Sequence, residues 1–366
     1  MSLTNQIKHK AIELGFDLVG ITEAAPIDAD QTELLTGWLK SGFAGQMKYM
    51  HRNLQKRTDP GKLLEDAKSV ICVGLNYKPP KCSVPLRASL SDARQSDIRC
   101  SSTAVGRVAQ YAQYEDYHGF IRKRLSKLID FIGSITDAGQ KFKICVDSVP
   151  LAERTLAARA GLGFIGKNHI LINPKLGGQV FLGEIVTTLK LACRRPRLEA
   201  DKPIDSGSKQ KEPLARSEVE GRESTELITA GCANCDKCVN ACPTTALRAD
   251  GQFDANKCIS YLTIEYKGQI PSMLAEKIGD RLFGCDECVL ACPWQRDAPV
   301  CKNKQFKFYN DRAELNLSRV LNLTQRDFDL EFDGSPIRRL GLERMKRNAQ
   351  VCLNNARIAP RAKNSK

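Results

Sequence analysis

No stretch of the 366-residue chain stays apolar over the roughly 18 residues that a membrane helix requires. The N-terminus, Met1 to Phe16, reads as an amphipathic polar helix and lacks the apolar core of a secretory signal. With an odd count of 15 cysteines, that argues against a secreted disulfide framework and leaves metal or redox chemistry as the use of so much sulfur. A cytoplasmic protein with no membrane association is expected. Acid is scarce as well: 42 Asp and Glu face 56 Lys and Arg, a net charge of +14, so the surface should attract polyanions such as nucleic acid. No internal repeat exists beyond two cysteine runs. The length excludes a single small module and allows two or three compact units, and a hydrophobic content of 42 % is enough for a buried core.

Eight of the cysteines lie between Cys232 and Cys292, while Cys72, Cys82, Cys100, Cys145, Cys193, Cys301 and Cys352 are scattered and are expected to be small buried apolar residues. The first run is Cys232-x2-Cys235-x2-Cys238-x3-Cys242-Pro243, the spacing with which bacterial ferredoxins wrap a [4Fe–4S] cluster. The second, Cys285-x2-Cys288-x3-Cys292-Pro293, lacks its first member, which Cys258 can supply. In two-cluster ferredoxins the fourth cysteine of each run serves the other cluster. That rule assigns Cys232, Cys235, Cys238 and Cys292 to one cluster and Cys242, Cys258, Cys285 and Cys288 to the second. A structural zinc also takes four thiolates, but two interleaved sets closed by Cys-Pro exceed what one zinc needs.

Elsewhere the pattern is that of an α+β protein. Residues 3–15 and 31–50 have helical spacing, and 69–75 is a short apolar run that reads as a buried strand. Residues 78–107 read as a loop. From Tyr117 to Ile135, Phe120, Leu125, Leu128, Ile129 and Ile132 share one helical face. Residues 143–147 form a strand candidate leading into a helix over 151–160, with Ser148 as N-cap and Pro150 near its first turn. Residues 168–173 and 179–191 read as strands, and 194–230, rich in charge and proline, as a linker or insertion. The last 32 residues carry nine Lys or Arg against one acid, with Arg338, Arg339, Arg344 and Arg347 at near-helical spacing, as in a basic helix that tracks phosphates or a solvated face with a tail.

Gly161-Leu162-Gly163-Phe164-Ile165-Gly166-Lys167-Asn168 matches a dinucleotide fingerprint in letters only, because helix formers precede it where a strand is required. It also fails as a triphosphate loop, since Asn168 stands where Ser or Thr must ligate magnesium. A helix C-cap followed by a close backbone approach explains the glycines, and so would a surface for a large planar cofactor. For proton chemistry, Asp147 follows an apolar strand where desolvation would keep it protonated, or it caps the next helix. Tyr117 and His118 are a second donor pair or a plain helix start, and Arg154, seven residues beyond Asp147, could turn its cation to the same side or face solvent.

Taken together, Ala160 to Asn168, Phe181-Leu182-Gly183-Glu184-Ile185, both cysteine runs, Lys257 to Glu265 between them, and Gly334 to Asn348 resemble the epoxyqueuosine reductase family over nearly the whole chain. The resemblance implies a cobalamin- and iron–sulfur-dependent oxidoreductase that removes the epoxide oxygen of epoxyqueuosine in the anticodon loop of tRNA, the last step to queuosine. It implies a cobalamin-binding catalytic domain (1–193), a linker or insertion (194–230), a ferredoxin-like domain with two [4Fe–4S] clusters (231–300) and a helical basic C-terminal region (301–366). It places the proton donor at Asp147, with Tyr117, His118 and Arg154 beside it, and cobalamin against Arg57, Asp147, Lys167, Asn168 and Leu171. Arg338, Arg339, Arg344 and Arg347 would contact tRNA, an external low-potential donor would feed the clusters, and a monomer would suffice. The chain departs from the family in Val149-Pro150 after the Asp-Ser pair, in Tyr114-Glu115 before Asp-Tyr-His, and in the length of 194–231. A corrinoid iron–sulfur reductase of another substrate, like the reductive dehalogenases, need not be so basic, and a non-catalytic electron carrier would leave the first 190 residues without use. Anaerobically purified protein should contain about eight iron and eight sulfide per chain; one zinc and no sulfide would refute the cluster assignment.

Overall fold

The computed structural model describes residues 1–80, 104–193 and 231–358. The 194–230 linker, most of the 78–107 loop, Cys82, Cys100 and the basic residues Arg361, Lys363 and Lys366 lie outside the described residues. The fold is α+β, and the described residues form two compact units that are interleaved along the chain. The first draws on Met1–Asn76, Tyr117–Asn256 and Glu287–Pro299, the second on Tyr77–Asp116, Lys257–Asp286 and Val300–Lys366. The consecutive division at 193, 230 and 300 gives way to this one because strand pairing and burial join segments far apart in sequence. No described helix is long and apolar enough to cross a membrane.

The first unit is built on a four-stranded sheet in the order Leu18–Glu23, Ser69–Asn76, Val180–Thr187, Phe142–Cys145, with every neighbouring pair antiparallel. All eight residues of Ser69–Asn76 are buried, which is why the run lacks the polar alternation of a half-exposed strand. The two sheet faces are distinguished by the side-chain period of two. Gly183 lies against Ile121 and Leu125 of the helix Tyr117–Ile135. Its neighbours two apart from Val186 share the other face, where Val70, Cys72, Cys145 and Val186 pack with Leu156 and Ala157 of the helix Glu153–Arg159. The Tyr117–Ile135 helix has the expected bounds and buries Phe120, Leu125, Leu128 and Ile132, with Ile129 only partly covered.

The 31–50 expectation breaks into Ala29–Lys40 and Lys48–His51, since the chain turns at Ser41 and Gly42. The second helix of the site starts at Glu153, and Ala152 rather than Ser148 is its N-cap. The strand expected over 168–173 shrinks to Leu171–Ile172, paired with Phe164–Ile165, and that over 179–191 ends at Thr187. The glycine-rich segment is a cap and a close approach: the helix ends at Ala160, Gly161 takes φ +83°, and a Cβ on Gly163 would lie 2.2 Å from the Ile172 carbonyl oxygen.

The second unit pairs Val105–Val108 in parallel with Arg281–Phe283 and antiparallel with Glu314–Asn316, so the end of the expected loop is a central strand. Leu282, Phe283, Leu317, Phe328, Phe332 and Met345 are among its buried core. The helix Leu342–Ile358 is fixed by Asn348, whose Nδ2 donates to the carbonyls of Thr263 (2.8 Å) and Leu282 (3.0 Å). Cys72, Cys145 and Cys352 are buried as expected, whereas Cys193 and Cys301 are only partly covered. Gly163→Ala, which forces a methyl into the Ile172 backbone, should lower the stability of the folded chain by about 1–3 kcal/mol in denaturant unfolding; an unchanged midpoint would show that the contact is relieved at no cost.

Candidate active site and cluster pocket

At the end of the strand Phe142–Cys145 the chain turns sharply at Asp147, which holds the left-handed conformation at φ +54°. A non-glycine residue there carries a backbone cost that the surroundings must offset. Glu153 Oε1 accepts the Asp147 N–H at 2.6 Å, and His118 Nε2 lies 3.0 Å from Asp147 Oδ2. His118 is set by the first turn of its helix, where the neighbouring Tyr117 ring stacks on Phe181 (centroids 4.2 Å apart, 11° between planes). The structure thus brings Asp147, Tyr117 and His118 together.

The burial expected of Asp147 is not found: its side chain is 57 % exposed. The more covered acid is the half-buried Glu153, whose carboxyl desolvation pushes up to about 7, with the Asp147 charge adding to the rise. Sequence reasoning missed it because Glu153 looks like an ordinary first-turn helix acid. Glu184 was passed over for a similar reason, being embedded in the apolar run Phe181 to Val186, where one lone acid is the signal that could have found it. It is fully buried, and neither carboxyl oxygen has a hydrogen-bond partner among the described residues. Burial, then the charges of Glu153 and Asp147, drive its pKa well upward.

Two guanidinium groups face these acids. Arg57 is lowered by burial, and its Nε has no partner among the described residues. Arg154 is open to solvent, and desolvation by the surrounding protein lowers it as well. Its Nη1 donates to the carbonyl of His169, a residue at φ +58° whose Nε2 also lacks a partner among the described residues.

The other residues expected around cobalamin have the following protein partners. Leu171 is a core residue, 3 % exposed, packed with Cys72 and Leu156. Lys167 donates from Nζ to Asp236 Oδ1 at 2.7 Å and from its backbone amide to Cys232 Sγ at 3.4 Å. Asn168 donates from Nδ2 to the Cys288 carbonyl at 3.2 Å and lines a pocket with Cys232, Cys235, Cys238 and Cys292. Those four thiols are the set that the ferredoxin rule selects, Cys292 crossing over from the second run. The short helices Lys237–Asn240 and Glu287–Leu290 pack together beside the pocket, and Trp294 meets Phe164 edge-on. Burial pushes the Cys292 thiol up to about 11, so a thiolate there calls for a bound cation. Of the other four cysteines, Cys242 and Cys288 lie in the first unit, Cys258 and Cys285 in the second.

The basic C-terminus is differently used from the expectation. Arg347 Nη1 donates to the carbonyls of Tyr266 (2.7 Å) and Gly268 (2.8 Å), and its Nη2 to that of Leu262 (2.8 Å). Arg344 Nη1 donates to the Ile264 carbonyl at 2.6 Å. Both therefore satisfy carbonyls left open at and beyond the end of the helix Ile259–Ile264, a structural use. Arg339 grips both oxygens of Asp116 at 2.7 Å, and Arg338 pairs with Asp333 and Asp329; these two side chains remain 49 % exposed.

Two family models match the chain: epoxyqueuosine reductase QueG over residues 57–148 and a 4Fe-4S double cluster binding domain over residues 231–295. The epoxyqueuosine reductase of Vibrio cholerae is 35 % identical over 98 % of this chain and 85 % of its own length, and that of Xanthomonas campestris 36 % identical over 96 % and 86 %. Among solved structures, epoxyqueuosine reductase from Streptococcus thermophilus superposes with a TM-score of 0.74 at 27 % identity, covering 97 % of this chain and 82 % of that one. An epoxyqueuosine reductase bound to an epoxyqueuosine-modified tRNA-Tyr stem loop gives 0.75 at 28 % identity, covering 96 % and 81 %. A chain with this acid-and-guanidinium site, this four-thiol pocket and relatives of this identity along almost its full length belongs to the epoxyqueuosine reductase family.

Proposed function

We propose that the chain is a monomeric, cytoplasmic oxidoreductase that reduces the epoxide of epoxyqueuosine in the anticodon loop of tRNA to the alkene of queuosine. The observation that carries this is the exposed, doubly held Asp147 beside the Arg57 and Arg154 guanidinium groups, in a chain that also builds a four-thiol pocket. Kinship with a reductase seen on a modified tRNA stem loop supports the substrate. The residues present fit the cofactors. The four cysteines of the pocket suit one [4Fe–4S] cluster, with the Lys167 amide donating to a ligand sulfur, and Cys242, Cys258, Cys285 and Cys288 are assigned the second by their spacing. Arg57, whose Nε has no partner among the described residues, and Arg154, open to solvent, suit the amide- and phosphate-bearing rim of cobalamin.

When bound, the clusters and cobalamin supply the two electrons of the reduction, drawn from an external low-potential donor. The chain supplies the acid and the placement. Asp147 delivers a proton to the epoxide oxygen as its C–O bond breaks, and His118, 3.0 Å away, fixes the carboxyl rotamer. Tyr117, stacked on Phe181, keeps His118 from swinging away. Arg154 keeps positive charge near the developing oxyanion. Lys167 and Asn168 brace the four-thiol pocket instead of contacting cobalamin, and Leu171 supports the wall from the core.

For tRNA, Arg338 and Arg339 are the phosphate contacts, exchanging their carboxylate partners for phosphate, while Arg344 and Arg347 keep the surface in shape. Asp147→Asn should keep normal cluster and cobalamin content and lose at least about a hundredfold in turnover on epoxyqueuosine-containing tRNA; a variant as active as the parent refutes the donor role. Cys285→Ser should instead remove one cluster and abolish electron delivery. Substituting Arg338 and Arg339 together by Ala should weaken tRNA binding and flatten its dependence on log salt by roughly 1.5, as loss of two phosphate contacts requires. An unchanged slope would remove these residues from the interface.

A further inference from the structure

Reduction of an epoxide to an alkene breaks both C–O bonds and consumes two electrons and two protons, with the oxygen leaving as water. Asp147 carries one proton at a time, so a second must reach it before the oxygen can leave. The first unit contains an unexplained acid directly beneath this position. On the sheet, Glu184 is registered opposite Cys72 on one side and Cys145 on the other, and Cys145 lies two residues before Asp147. It faces the side of the sheet covered by the helix that begins at Glu153, and Glu153 Oε1 holds the Asp147 amide at 2.6 Å. Neither oxygen of Glu184 has a partner among the described residues, and none of its surface is exposed. A buried carboxyl without hydrogen bonds costs several kcal/mol of desolvation if charged, and an apolar side chain would fit such a place better. Its presence calls for a use.

We propose that Glu184 and Glu153 form a proton store inside the first unit, which returns a proton to Asp147 after Asp147 has protonated the epoxide oxygen. The proposal rests on the reductase reading given above. In the step, the Glu153 carboxyl gives its proton to the Asp147 carboxylate and becomes charged, Glu184 retains the proton that two like charges at close range cannot both release, and solvent refills Glu153 between turnovers. The electrons come from the clusters, as in the overall reaction.

The groups that face the pair are consistent with this division. Toward Glu184 the flanking strands present only the thiols of Cys72 and Cys145, which burial holds protonated, the latter pushed up to about 12. Toward Glu153, the Arg154, Arg57 and His118 cations favour the charged form and Asp147 opposes it. Glu153 is therefore the member that exchanges its proton near neutrality, and Glu184 the member that does not.

Infrared spectroscopy of the full-length, cofactor-loaded protein with carboxyl-labelled glutamate tests the store without turnover. A protonated-glutamate band should be present at about pH 6, fall in part as pH rises through about 7, and persist in part above it. Glu153→Gln should remove the part that titrates and Glu184→Gln the part that persists. Because both acids are raised on folding, the folded chain binds protons that the unfolded chain releases. Stability should thus fall as pH rises from about 4.5 to about 7, and Glu153→Gln should flatten that fall. On tRNA substrate, Glu153→Gln should lower kcat about tenfold or more with KM unchanged and move the alkaline limb of the rate profile, and Glu153→Asp should restore part of the rate. Glutamates fully ionised at about pH 6, or wild-type kcat and pH profile in Glu153→Gln, would overturn the proposal. If Glu184→Gln does not fold, the wild-type infrared titration and Glu153→Gln decide it. Wild-type protein with the infrared signature but no reduction of epoxyqueuosine would refute the reductase reading, and with it the purpose of the store, while leaving the acid pair in place.

Discussion

The hydrogen bond from the Asp147 amide to the Glu153 carboxyl is the constraint around which the site is arranged. It ties the end of a sheet strand to the first turn of a helix and holds a non-glycine residue at positive φ. With that turn fixed, the Asp147 side chain projects outward to His118, and the helix carrying Glu153 is placed so that Arg154 is open to solvent while Leu156 and Ala157 pack on the sheet below. The same bond separates two properties that seem to belong to one residue. Asp147 is exposed and can reach a substrate, whereas Glu153 is half-buried and can keep a proton near neutral pH.

That separation marks where sequence reasoning succeeds and where it stops. The cysteine spacing identifies four thiols that the fold does bring to one pocket, because cluster geometry dictates short, fixed intervals and the crossing rule is local to two runs. The Tyr117–Ile135 helix and the Ser69–Asn76 strand are legible for a similar reason: each is long enough for one period to dominate. The protonation of Asp147 was not legible, since burial depends on which way a two-residue turn throws its side chain. Nor was the use of Lys167 and Asn168, whose partners Asp236 and Cys288 lie 69 and 120 positions away.

The arginines near the C-terminus make the converse point. A run of positive charge suggests a surface read by phosphates, yet two of its members are spent on backbone carbonyls at and beyond the end of another helix. Charge patterning counts cations without knowing which are already occupied. Arg338 and Arg339, each 49 % exposed, instead pair with carboxylate side chains.

The interleaving of the two units bears on how the protein is made. The central strand Ser69–Asn76 waits for Val180–Thr187, and the first unit is incomplete until Glu287–Pro299 has been synthesised. Cys292, the fourth thiol of the pocket, emerges from the ribosome about fifty residues after Cys242. Three thiols therefore wait, reduced and open, while the Lys257–Asp286 segment of the second unit is made. Assembly of the metal centre is in this way a late event that reports on near-complete translation, and a chain truncated before residue 292 carries a pocket that no cluster can close.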